Sequence, residues 1–206
     1  MTRTKSDPKH HDSRWDSDVK PAPGELRLIQ AFVSSKDFAN PRALADWLAL
    51  WGLVTPGTKL TEDELRRALE VRDGLRELVR ANQGRAVNDA ALARLDQAAE
   101  TAILRVRFAS GGRTRYEPVS AGLDGALARM CSIVATAQSE GLWPRLKICA
   151  GESCGSAFYD FSKNRSAKWC LPKCGNRVSA SVYRQRNLRT VREKDRVKAW
   201  ARRLSW

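Results

Sequence analysis

Four cysteines in two close pairs constrain this chain more than any other feature. Cys149 and Cys154 are spaced C-x4-C, fifteen residues follow, and Cys170 and Cys174 are spaced C-x3-C. Two such pairs, joined by a stretch long enough for a hairpin, can set four sulfurs tetrahedrally around one ion, each about 2.3 Å from it. No apolar run approaches the roughly 18 residues that cross a bilayer, and the start MTRTKSDPKHHDSRWDSDVKPAPG lacks the apolar stretch of a signal peptide. The expected location is therefore the cytoplasm, with no membrane partner. In that reducing compartment, close Cys pairs read as metal ligands more readily than as disulfides. Four soft thiolates that close the coordination shell suit structural Zn²⁺, an ion with no redox chemistry of its own. The fifth cysteine, Cys131, falls in a helical stripe with Leu123, Leu127, Met130 and Val134, and reads as a small buried hydrophobe.

Charge divides the chain in the same place. The net charge of the whole is +14, and residues 145–206 carry sixteen Lys and Arg against four acids, a net +12, leaving +2 for residues 1–144. A four-thiolate zinc centre contributes −2, so the basic field survives it. Such a field draws phosphate polymers through counterion release, and DNA is the expected partner, with RNA, acidic proteins and anionic lipid as alternatives.

Residues 1–24 are polar, charged and punctuated by Pro8, Pro21, Pro23 and Gly24, a composition expected to form a disordered tail. His10 and His11 belong to it and are not counted as ligands. From Glu25, LRLIQAF gives an alternating apolar run that reads as a short strand. Asn40 before Pro41 reads as an N-cap with Pro at the first helical position, opening a helix through Trp51. Thr61 and Glu64 have the spacing of a capping box, and Leu65, Ala68, Leu69, Leu75, Leu78 and Val79 follow mostly on one helical face until Gly84. Asn88 caps a third helix to about Glu100. TAILRVRF and RTRYEPV, separated by Gly111-Gly112, then predict a hairpin, and a further helix closes at Gly141. A 42% hydrophobic composition suffices for a packed core.

Phe158, Asp160, Ser162, Asn164, Trp169 and Cys170, followed by Cys174-Gly175-Asn176-Arg177 and Tyr183-Arg184-x-Arg186, resemble the signature of the CGNR zinc-finger family. Upstream, LIQAFVSS and ADWLALWGL resemble the opening of the ABATE domain that usually precedes this finger in stress-induced transcription regulators, a likeness spanning residues 25 to about 140. Ser34-Ser35 stands where that family carries Asn-Thr after its first strand, and Ser179 where Lys is common after the CGNR box. The expected fold is α+β: a mostly helical N-terminal domain with a small β-sheet at residues 25–140, then a treble-clef-like zinc finger at 145–206 ending in a basic helix. The first domain would be a sensor or a homodimerisation unit. Phe32, Trp47 and Trp51 are open to two readings, core packing or the lining of a pocket for a small-molecule effector.

Within the finger, Gly175 is expected to let backbone approach the metal-bound sulfurs, Asn176 to cap the helix start, and Trp169 to supply the small core. Arg177 reads either as a phosphate fork or as the partner of Asp160. Ser162-Lys163-Asn164-Arg165 is expected to turn a hairpin between the Cys pairs. Along the last helix Val178, Val182, Gln185, Arg189, Arg192 and Arg196 recur at steps of three or four, apolar first and basic beyond. The nucleic-acid candidates are Lys163, Arg165, Lys168, Arg177, Arg184, Arg186, Arg189 and Arg192. Trp200 and Trp206 read as packing residues. With both His in the tail, no phosphate-binding Gly loop and no nucleophile elbow, catalysis is not expected. The function expected is that of a zinc-binding, DNA-binding transcription regulator; an RNA-binding or protein-interaction module is the alternative.

Overall fold

A computed structural model describes residues 19–151 and 154–203, with side chains through residue 187. The readings of His10, His11 and Trp206, and of the side chains of Arg189, Arg192, Arg196 and Trp200, fall outside the described residues. The element order is α1 (Leu26–Ser34), α2 (Pro41–Leu50), α3 (Glu62–Ala81), α4 (Asp89–Ala99), β1 (Leu104–Phe108), β2 (Thr114–Pro118), α5 (Gly122–Ser139), a 3₁₀ turn (Trp143–Arg145), β3 (Leu146–Ile148), β4 (Ala157–Tyr159) and α6 (Pro172–Arg203). The strands form two separate antiparallel pairs, β1 with β2 and β3 with β4. The class is α+β, as the pattern implied.

The segment read as a first strand is the helix α1. Leu26, Leu28, Ile29, Gln30, Ala31, Phe32 and Val33 are all buried in it. An alternating period is not diagnostic when nearly every position is apolar, because such a segment is enclosed on all sides whichever way it winds. Here α3, α5 and β4 pack around it. Its surroundings choose the helix.

Local signals set the other helix starts. The Asn40 side chain accepts from the Ala43 N–H at 2.9 Å, with Pro41 first in α2. In α3 the Thr61 hydroxyl accepts from the Glu64 N–H at 3.2 Å while the Glu64 carboxylate accepts from the Thr61 N–H at 2.8 Å, so the capping box is complete. Asn88 caps α4 through the Ala91 N–H. These caps are each worth about 1 kcal/mol. The α3–α4 contact is close because residue 74 is glycine: a Cβ there would stand 2.6 Å from that of Leu95.

The tail does not extend to residue 24. Ala22 is buried and its N–H donates to the Gln30 side chain, while the Lys20 carbonyl accepts from the Tyr159 N–H and from Gln30 Nε2. Val19 packs beside the cysteine cluster.

The strands after the expected boundary at 140–145 share the core of the helical body. Leu146, Ile148, Ala157 and Tyr159 belong to one buried cluster with Ile29, Phe32, Val71, Val79, Leu127 and Met130. Helix α6 behaves differently. Val178 and Ser181 are half-buried, but Ser179, Ala180 and residues 182–187 are exposed, Val182 included. The apolar start expected for its stripe is therefore only one residue deep. Among the described residues, no helix is long and apolar enough to cross a membrane.

Candidate metal centre

The Sγ atoms of Cys149, Cys154, Cys170 and Cys174 all lie within 4.8 Å of one another. Cys154 and Cys170 are 3.5 Å apart, Cys170 and Cys174 3.6 Å, and Cys154 and Cys174 3.8 Å. Four sulfurs at tetrahedral corners around an ion with bonds of about 2.3 Å would stand about 3.8 Å apart. A disulfide needs about 2.05 Å. The spacing therefore fits a shared ion and excludes a bond between any of these pairs.

Three elements deliver the ligands. Cys149 leaves β3 and Cys154 leads toward β4, so the first Cys pair is itself the turn of the β3–β4 hairpin, closed by the Cys149 N–H on Ser156 O at 2.9 Å. This corrects the expected hairpin between the pairs. Ser162–Arg165 does turn, through the Arg165 N–H on Ser162 O at 3.3 Å, but within a loop. Cys170 precedes α6 and Cys174 sits in its first turn, where the positive end of the helix dipole favours a thiolate.

Gly175 does not have the role expected of it beside the sulfurs. A Cβ on Gly151 would meet Cys154 Cβ at 3.4 Å and Cys149 Sγ at 3.7 Å, ordinary van der Waals distances, so the chain passes close to the sulfurs there without requiring a glycine. A Cβ on Gly175 would meet the Trp169 ring at 3.0 Å instead. Gly175 is the seat of Trp169, which packs with Phe158, Leu171 and the cysteines as the small core. Asn176 does not cap α6. The helix starts at Pro172, whose missing N–H costs nothing there, and Asn176 lies a turn inside.

The electrostatics describe a site built for a cation. Burial pushes the Cys170 and Cys174 thiols up, and neighbouring sulfurs raise Cys170 further, since adjacent thiolates repel. Burial opposes ionisation of Cys154 too, but hydrogen bonds from Ser156 and contacts with Cys170 and Cys149 outweigh it and bring its thiol to about 7. Ser156 Oγ lies 3.5 Å from Cys154 Sγ, and the Cys170 N–H donates to Cys149 Sγ at 3.5 Å. Such donors orient ligands and hold their charge. Cys131 lies outside the cluster, half-buried, its thiol raised by burial.

Asp160 organises the loop that carries the candidate cations. It is wholly buried; Oδ2 accepts from Lys147 Nζ at 2.7 Å and from the Ala167 N–H at 2.9 Å, and Oδ1 from the Ser162 N–H at 2.8 Å. Burial works against its ionisation, yet the Lys147 bond and the Ser162 and Ala167 donors hold its carboxyl at about 2. Lys147 Nζ also donates to the Arg165 carbonyl. Lys147, not Arg177, is thus the partner of Asp160, and Arg177 is exposed on α6. Lys147 could have been found in the sequence as the one charge between buried Leu146 and Ile148, two residues before a ligand.

Lys163, Arg165 and Lys168 are exposed on this loop, and Arg177, Arg184 and Arg186 on α6. Arg177 and Arg184, seven residues apart, share a helix face. The outer edges of the hairpin are held from the helical body. Gln83 Nε2 donates to Ile148 O at 2.9 Å and its Oε1 accepts from the Ile148 N–H at 3.1 Å. On the other edge, Ser34 Oγ accepts from the Ala157 N–H at 2.8 Å and Gln30 Nε2 donates to Ala157 O at 3.1 Å. Gln83 had no sequence signal.

A four-cysteine metal site on a hairpin and a helix start, docked on a helical body, defines a protein with a treble-clef-like finger. Residues 145–187 match the CGNR zinc finger. Residues 21–139, more than half of the chain, match ABATE, described as "Putative stress-induced transcription regulator", and the chain belongs to that family. The chain matches no curated protein.

The aromatic cluster takes a mixed form. Phe32 is fully buried and stacks at 5.4 Å on Trp47, which lies 5.7 Å from Trp51. Trp51, with Leu28, Val54, Pro56 and Ile133, lines an open cleft of about 1290 Å³, and the other two rings do not.

Proposed function

We propose that the chain is a zinc-stabilised regulator that binds DNA through its finger, with the ABATE body as the responsive part. The observation that carries the reading is α6, which holds a ligand, Cys174, in its first turn and, over its described side chains, exposes Arg177, Arg184 and Arg186. Zn²⁺, when bound, supplies four bonds that take the place of a larger core. Cys149, Cys154, Cys170 and Cys174 would hold it, and their closed shell leaves no position for a reacting water, which supports binding rather than catalysis. The Lys147–Asp160 pair and Arg145, which donates to the carbonyls of Asp160 and Ser162, set the loop bearing Lys163, Arg165 and Lys168. An effector of the body has room in the cleft beside Trp51.

The test is anisotropy binding of the purified protein to its own promoter duplex and to RNA of equal length, across a salt titration, with elemental analysis for one zinc per chain. Arg184→Gln, Arg186→Gln, Arg189→Gln and Arg192→Gln together are expected to weaken duplex binding and flatten its salt slope by nearly one unit for each phosphate no longer neutralised, with zinc unchanged. Preference for RNA, or no salt-dependent binding by the parent, overturns the DNA reading.

A further inference from the structure

The β1–β2 hairpin stands out from the body and has no role in the metal centre. Its base is seated: Leu104 and Pro118 are half-buried, and Pro118 lies beside Gly125 of α5. Beyond them every residue from Arg105 to Tyr116 except Ala109 is exposed. The register opposes Arg105 to Glu117, Val106 to Tyr116 and Arg107 to Arg115. Alternation therefore puts Arg105, Arg107, Arg115 and Glu117 on one face and Val106, Phe108 and Tyr116 on the other.

The charged face is unbalanced. Glu117 accepts from Arg107 Nε at 3.1 Å and pairs with Arg115 at 2.6 Å and Arg105 at 3.5 Å, so one carboxylate serves three guanidinium groups. Arg113 adds a fourth at the tip. Residues 103–119 carry a net +3, against +2 for the whole of residues 1–144, so the rest of that segment is slightly acidic. Directly opposed like charges such as Arg107 and Arg115 weaken a hairpin. A surface of this kind is completed by an anion that several guanidinium groups can share.

Shape narrows the anion. Two strands about 5 Å apart, with side chains, fit a major groove about 12 Å wide, and five residues of strand reach about 17 Å against a groove depth of about 8.5 Å. Gly111 and Gly112, both with positive φ, keep the tip narrow. Phe108, 81% exposed near that tip, presents the apolar contact that thymine methyls take.

We propose that this hairpin is a second nucleic-acid contact, a β-ribbon that enters the major groove of the duplex held by the finger, with Arg105, Arg107, Arg113 and Arg115 on phosphates and base edges. The inference rests on the DNA reading above. It places a reading element in the ABATE body and makes recognition bipartite.

The experiment is duplex binding and hydroxyl-radical footprinting with the full chain in its metal-bound form. Replacing the four arginines by Gln is expected to weaken binding roughly tenfold or more, lower the salt slope by about 2, and shorten the footprint on one flank. A four-Lys variant is expected to keep most of the slope, and Val106→Ser with Phe108→Ser to keep all of it. Circular dichroism and metal content check that each variant folds. A four-Gln variant with the parent's affinity, slope and footprint overturns the ribbon and leaves the finger reading standing, whereas a parent that binds no duplex overturns both. Loss of a dimer in the Val106/Phe108 variant, with the Arg variants unaffected, assigns the hairpin to a second copy of the chain instead and likewise overturns the proposal.

Discussion

Asp160 shows how much one side chain can carry. It closes a loop, neutralises a buried lysine and aligns the segment leading to Cys170, all from a fully buried position. Its carboxyl falls from the ordinary 3.8 to about 2 on folding, and a shift of that size corresponds to about 2 kcal/mol. Because the folded value is the lower one, this contribution is complete above about pH 4 and fades as the pH drops toward 2. Asp160→Asn is expected to cost about 3 to 5 kcal/mol at pH 7, since it also strands Lys147 in the interior. Urea unfolding of the zinc-bound protein measures it. The gap between parent and variant should stay constant from pH 7 down to the point where the thiolates take up protons and release zinc, because the Asp160 carboxyl is still ionised there.

At the scale of elements, β3 and β4 illustrate a two-stranded sheet stabilised from outside. Hairpins of three-residue strands are marginal alone, and both edges here are covered by side chains from the helical body. Gln83 is the clearest case, because its amide exchanges both bonds with Ile148 as a third strand would. Gln83→Ala leaves a buried N–H and C=O unmet one residue before Cys149. We expect a loss of about 2 kcal/mol, together with faster zinc transfer to a chelator in competition assays. Stability and transfer rate equal to the parent's would show that β3 holds its place without the clamp. Helix α1 makes the complementary point: its residues Gln30 and Ser34 serve β4, so the element whose alternation reads as a strand is what gives β4 its outer partner.

For the molecule as a whole, metal loss is expected to divide the finger rather than unfold it as a block. Leu146, Ile148, Ala157 and Tyr159 are anchored in the main core, while the 160–169 loop and the start of α6 depend on the cysteines. In Cys170→Ser or chelated protein, hydrogen exchange should rise across 161–180, with the amides of Ile148 and Ala157 still protected. Uniform exchange from 145 to 190 would mean that the hairpin relies on the ion after all. Much of this molecule was legible from residue order. The four ligands, the caps at Asn40, Thr61 and Asn88, the Gly111-Gly112 turn and the basic character of α6 are all set within a few residues of chain, by side-chain chemistry and backbone sterics that act locally. What only the tertiary structure decided is which surfaces meet: the helical state of α1, the pairing of Asp160 with Lys147 rather than Arg177, the Trp169 seat on Gly175, and the grip of the distant Gln83, Gln30 and Ser34 on the hairpin. Burial and hydrogen-bond satisfaction depend on which surfaces meet, and no local pattern encodes that meeting.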